Sequence, residues 1–129
     1  MSSPHPTEGE LAILRVLWSR NAPTTVREVH EVLSRHKDTA YTTVLKMLTI
    51  MSEKGLVRRD ESERSHRYVA AHAEPVVQSS LLKDLMRRAF SGSASTLVQR
   101  ALDDSGTSAE ELDAIEAMIA RAKASRKAE

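Results

Sequence analysis

Apolar residues recur at helical spacing from the start of the chain. Leu11, Leu14, Leu17 and Trp18 fall on one face, and Thr7 with Glu10 ahead of them has the spacing of a capping box. This predicts a first helix from about Glu8 to Ser19. Asn21-Ala22-Pro23 breaks the pattern, and Thr25 with Glu28 repeats the box before Val26, Val29 and Leu33, predicting a shorter second helix that ends near Ser34. A third period runs through Ala40, Val44, Met47, Leu48 and Met51, which share a face at about 100° per residue. Gly55 is placed to end it with a left-handed cap.

The opposite face of the third helix carries Thr39, Thr42, Lys46, Thr49 and Glu53, with Thr43 at its flank. Hydroxyls and a lysine there suit phosphate and base-edge contacts in a major groove. They suit an ordinary solvated face as well, and the face by itself leaves both readings open. After Gly55 the period changes. Leu56-Val57-Arg58-Arg59, the polar run Asp60 to Ser65, and His66-Arg67-Tyr68-Val69 predict a β-hairpin with a charged tip. Three helices followed by a basic hairpin is the element order of a winged helix.

From Pro75 the pattern is helical again. Val77, Leu81, Leu85 and Ala89 keep i, i+4 spacing until Phe90-Ser91-Gly92-Ser93 interrupts. A short apolar piece, Leu97 to Leu102, precedes a turn at Asp103 to Gly106. Ser108 with Glu111 then predicts a third capping box before Leu112, Ile115, Met118, Ile119 and Ala122. About 55 residues with three apolar stripes and one aromatic ring make too thin a core to stand alone. The stripes, with Leu81, Leu85, Leu112, Ile115 and Ile119 at their centre, are expected to meet a second copy of the chain; folding back onto the head is the other arrangement open to them. The fold class is thus mainly α: a winged helix-turn-helix domain over 1–72 with a small hairpin wing, and a helical dimerisation region over 73–129.

Composition narrows the chemistry. Hydrophobic residues at 40% and charged residues at 29% fit a folded chain. No apolar run reaches the about 18 residues of a membrane span, and Met1 to Pro6 lacks the features of a signal peptide. A cytoplasmic location with no membrane partner is expected. Cysteine is absent, which excludes disulfides, thiolate nucleophiles and sulfur-based zinc sites. The net charge of +1 conceals an asymmetry. From Arg35 to Arg67 the basic residues Arg35, Lys37, Lys46, Lys54, Arg58, Arg59, Arg64 and Arg67 outnumber Asp38, Glu53, Asp60, Glu61 and Glu63. A polyanion partner fits this segment, and so does a solvated charged surface.

With these elements placed, the sequence resembles the penicillinase-repressor family, the BlaI/MecI/CopY group of bacterial winged-helix repressors. The matching segments run in order: Thr7 to Leu14 with Leu17-Trp18, Thr25 to Val29, Ala40 to Leu48 with Lys54 to Val57, His66-Arg67-Tyr68, and Phe90 to Ser93 with Leu97-Val98. The resemblance implies a homodimer on a roughly two-fold-symmetric double-stranded operator, with the third helix in the major groove and the C-terminal helices in the dimer interface. It assigns Tyr41, Thr42, Thr43 and Lys46 to DNA, and Arg64, His66 and Arg67 to a DNA-contacting wing.

Two departures from the family pattern stand out. The C-terminal cysteine motif of the copper-responsive branch is missing, which excludes metal sensing of that kind. The β-lactam-responsive branch is inactivated by cleavage at an Asn-Phe bond, and the corresponding pair here is about Arg100-Ala101. Relief by a regulatory protease at that pair is the expectation. No enzyme motif is present, and no catalytic residue, cofactor or metal is expected; His30 with His36 and His66 with His72 stand six apart, which does not align two ligands on a helix. A winged helix serving protein assembly without DNA is the alternative function.

Overall fold

The computed structural model describes residues 5–128, so the leader reading at residues 1–6 falls partly on residues outside the described ones. The chain divides into two compact units, Met1–Asp84 and Leu85–Glu129.

In the first unit, α1 (Glu8–Arg20) and α2 (Val26–Ser34) start as their sequences predict. Thr7 Oγ1 accepts from the Glu10 amide at 3.2 Å while the Glu10 carboxylate accepts from the Thr7 amide at 2.9 Å. Thr25 and Glu28 repeat the exchange at 3.2 and 3.0 Å. Each box satisfies two amides that a helix start otherwise leaves unbonded. Between them Asn21 takes a left-handed conformation, which asparagine tolerates, and ends α1.

Helix α3 (Tyr41–Lys54) begins one residue later than the apolar period implies. Ala40 is its N-cap with extended backbone and no side-chain bond. Thr39, expected on the outer face of the helix, precedes it instead, and its hydroxyl donates to the Lys37 carbonyl at 2.9 Å. Gly55 closes α3 at φ +80°, a conformation in which a side chain would be strained.

Strand β1 (Thr24–Thr25), which alternation could not reveal in two residues, joins the hairpin strands β2 (Val57–Asp60) and β3 (Arg67–Ala70) in an antiparallel sheet of order β1-β3-β2. Thr25 and Asp60 flank Arg67, and Thr24 and Arg59 flank Tyr68. Ile13, Leu14, Val29, Val44, Leu48, Met51 and Tyr68 form the centre of a core closed by Leu56 and Val57, with Trp18 packed at its edge. The Trp18 indole donates to the His72 carbonyl at 3.0 Å.

Helix α4 (Glu74–Ala89) begins in this unit, where Val77, the first residue of its apolar period, is buried; it ends in the second. The second unit holds α5 (Ala94–Asp104) and α6 (Ala109–Lys127), neither of which buries a residue. Ser93 caps α5 by accepting from Thr96, and Ser108 caps α6 by accepting from Glu111 at 3.1 Å. Only this half of the third predicted box is formed among the described residues. No helix among them is long and apolar enough to cross a membrane.

Candidate nucleic-acid interface

Helix α3 turns Val44, Leu48 and Met51 inward, which leaves Thr42 and Lys46 exposed on the far side. Toward the wing the same helix exposes Tyr41 and Leu45, at 46% and 42%. These two residues line a cleft of about 540 Å³ together with Arg27 at the start of α2 and Arg64 and His66 at the end of the wing loop. Three separate segments thus meet beside the exposed face of α3. Thr43 lies on the other flank of the helix, where it lines a second cleft with Ala12 and Met47.

Tyr41 is held from behind. The His30 and Tyr41 rings meet edge to face, with centroids 5.8 Å apart at 75°. His30 donates from Nε2 to the Thr39 carbonyl at 2.7 Å, which ties the segment entering α3 to α2. Thr49, one turn after Leu45, donates its hydroxyl to the Leu45 carbonyl at 2.9 Å.

The wing's charges are unequally occupied. Arg59 pairs with Glu61, and the Tyr68 side chain and Glu61 raise its pKa further. Arg67 Nη2 lies 3.4 Å from Glu63. Its charge also helps hold the Glu28 and Asp60 carboxyls below their usual range, although hydrogen bonds from Thr25 and from Ser62 do most of that. Arg58 and Arg64 have no ion-pair partner among the described residues, so the wing's surplus positive charge resides on them. Those residues contain no cluster of three or more His, Asp or Glu side chains that could hold a metal ion.

A model of the penicillinase repressor family matches residues 6–121. The chain belongs to the penicillinase-repressor family. Among its relatives are the transcriptional regulators BlaI of Mycobacterium tuberculosis strains CDC 1551 / Oshkosh and ATCC 25618 / H37Rv. Each is 37% identical over 116 residues, spanning 89% of this chain and 83% of the relative. A solved structure of the DNA recognition and protein interaction domains of HOP2 covers 45% of this chain and 91% of its own, at 24% identity and a TM-score of 0.42.

Of the positions assigned to DNA by resemblance, the structure gathers Tyr41, Arg64 and His66 in one cleft, places Thr42 and Lys46 on the outer face of α3, and sets Thr43 and Arg67 apart. The sequence reading of this repressor-family chain missed Arg27 and Leu45. An arginine between the apolar Val26 and Val29 is the signal for the first; the second lies beside Thr42 and Thr49 on the helical wheel but reads as core by composition.

Proposed function

We propose that this chain is a homodimeric transcriptional repressor that reads a two-fold-symmetric operator through α3 and the wing. One observation carries the reading: Arg27, Tyr41, Arg64 and His66, from three separate segments, line one cleft beside the exposed Thr42 and Lys46. Arginine and lysine supply phosphate contacts that hold register, and hydroxyl and apolar side chains on the helix meet base edges. The transcriptional regulators related to this chain support the same role. The head over 1–72 would carry the DNA contacts and the region over 73–129 the dimer contacts.

What a single chain leaves uncovered supports the dimer. Leu85, Leu112 and Ile119 are 49%, 38% and 47% exposed, and α5 and α6 bury nothing. A second copy covering them, with Leu81 and Ile115, supplies the missing core. Relief of repression is assigned to proteolysis at Arg100-Ala101. Both residues are exposed in α5, a helix of 11 residues. A helix that short without buried residues opens readily.

Genomic fragments retained by the purified protein should share a palindromic site, and binding should weaken with log salt in proportion to the phosphates contacted. Retention with no shared sequence, or no retention, overturns the repressor reading in favour of an assembly module. Intact protein in its own cells while its target genes are active overturns the proteolytic route alone.

A further inference from the structure

A cleft of about 680 Å³ lies in the head, between α1, the end of α2 and the segment entering α3. Small-molecule sites typically span about 300–1,000 Å³. Its wall is apolar, with Ala12, Val16, Leu33 and Met47, while Arg15 and Lys37 line it with exposed side chains. No carboxylate pairs with either cation among the described residues. Asp38, the one acid lining the cleft, leaves the pair in excess.

An apolar wall selects nothing but hydrophobic area; two unpaired cations where the wall meets water add a preference for an anion. The wall is also adaptable. A Cβ at Gly9 would come within 2.9 Å of the Met47 methyl, so that flexible thioether lies directly over α1 and can move to admit a ring. Thr39, Ala40 and Thr43 line the same cleft, which places an occupant against the start of the helix assigned to the operator.

We propose that this cleft binds an amphipathic organic anion, a carboxylate or sulfonate on an apolar body of about two rings, and that its occupant alters how α3 meets DNA. The second half rests on the repressor reading; the first does not. The test uses the full chain with 2-naphthoate and its uncharged analogue 2-naphthylmethanol, read by backbone amide shifts. Naphthoate should shift the amides of Val16, Leu33 and Thr43, and the alcohol should bind about tenfold more weakly. Arg15→Glu with Lys37→Glu should reverse that difference, because two carboxylates now repel the anion, and leave alcohol binding intact.

Shifts elsewhere, equal affinities, or no shifts at millimolar ligand overturn the site. Lost DNA affinity in the double variant with naphthoate binding unchanged assigns the two cations to phosphate and overturns it as well. Saturating naphthoate should change operator affinity in the parent and not in the variant, and an unchanged affinity overturns the regulatory half. A chain that binds no DNA at all defeats the repressor reading, while the amide shifts still decide the cleft.

Discussion

Lys54, in the last turn of α3, donates from Nζ to both carboxylate oxygens of Glu10 at 2.9 Å, the same carboxylate that completes the capping box of α1. One side chain therefore caps one helix and anchors the end of another. The Glu10 side chain is only 6% exposed and Lys54 is 44% exposed, so the pair is screened from one side. Lys54→Met should cost about 1 kcal/mol after that screening. Glu10→Ala, which also removes the cap and leaves Thr7 unanswered, should cost on the order of 2 kcal/mol. Urea unfolding followed by the fluorescence of Trp18, the only tryptophan, measures both. A Lys54 cost equal to or above that of Glu10 would count against the double role.

The same carboxylate predicts an acid dependence. Burial opposes ionisation of Glu10, but the Thr7 amide and Lys54 outweigh it and hold the group below its usual range. Glu28 is held low by Thr25, with a smaller contribution from Arg20. A depressed folded pKa contributes stability that is complete above the unfolded value, about 4.3 for glutamate, and is lost as pH falls through the folded value. Stability from this source should be flat from neutral pH down to about 5 and fall below about 4. Glu10→Gln should make the acid limb shallower; an unaltered limb would rule out this origin.

The order of helices, both capping boxes of the head and the αL cap at Gly55 were legible because each depends on residues within four positions of one another. The lone pair of residues in β1 was not, since Thr24-Thr25 becomes a strand only when β3 arrives more than 40 residues later to pair with it. The same limit applies to the interface. Lys46 and Thr42 could be found on a helical wheel, whereas Arg27 and Arg64 come to line one cleft only once the wing has folded back. Val77 likewise reads as part of a stripe and is buried, because periodicity tells which residues share a face and not what covers it.

His30 should matter to DNA affinity without facing the cleft. Replacing it with alanine removes the edge-to-face contact with Tyr41 and the bond to the Thr39 carbonyl. Operator affinity should drop by about tenfold or less, with the salt slope unchanged because no phosphate contact is lost. A reduced slope would instead make His30 a direct contact.

The cations should separate by their present partners. Arg27→Ala, Lys46→Ala and Arg64→Ala should each lower the salt slope of binding by about one unit. Arg67→Ala should change the slope less, because its guanidinium already pairs with Glu63 beside Asp60. It should instead loosen the sheet, lowering the melting temperature. Equal slope changes for Arg64 and Arg67 would show that the Glu63 pair opens on DNA.

The dimer prediction turns on the exposed apolar residues of α6. Leu112 and Ile119 are seven residues apart, two helical turns, and so lie on nearly the same face. A charge placed at either would have to be buried in a two-copy interface at a cost of several kcal/mol, yet costs little where water already covers the site. Leu112→Asp with Ile119→Asp should therefore yield a monomer by sedimentation at micromolar concentration. The head's unfolding, reported by Trp18, should be unchanged, since neither residue belongs to its core. Operator affinity should fall steeply, because the second half-site no longer binds at the high effective concentration that linkage provides. The residual binding should resemble that of a single head. A parent chain that sediments as a monomer would reject the dimer outright, and a double variant that remains dimeric would move the interface off α6.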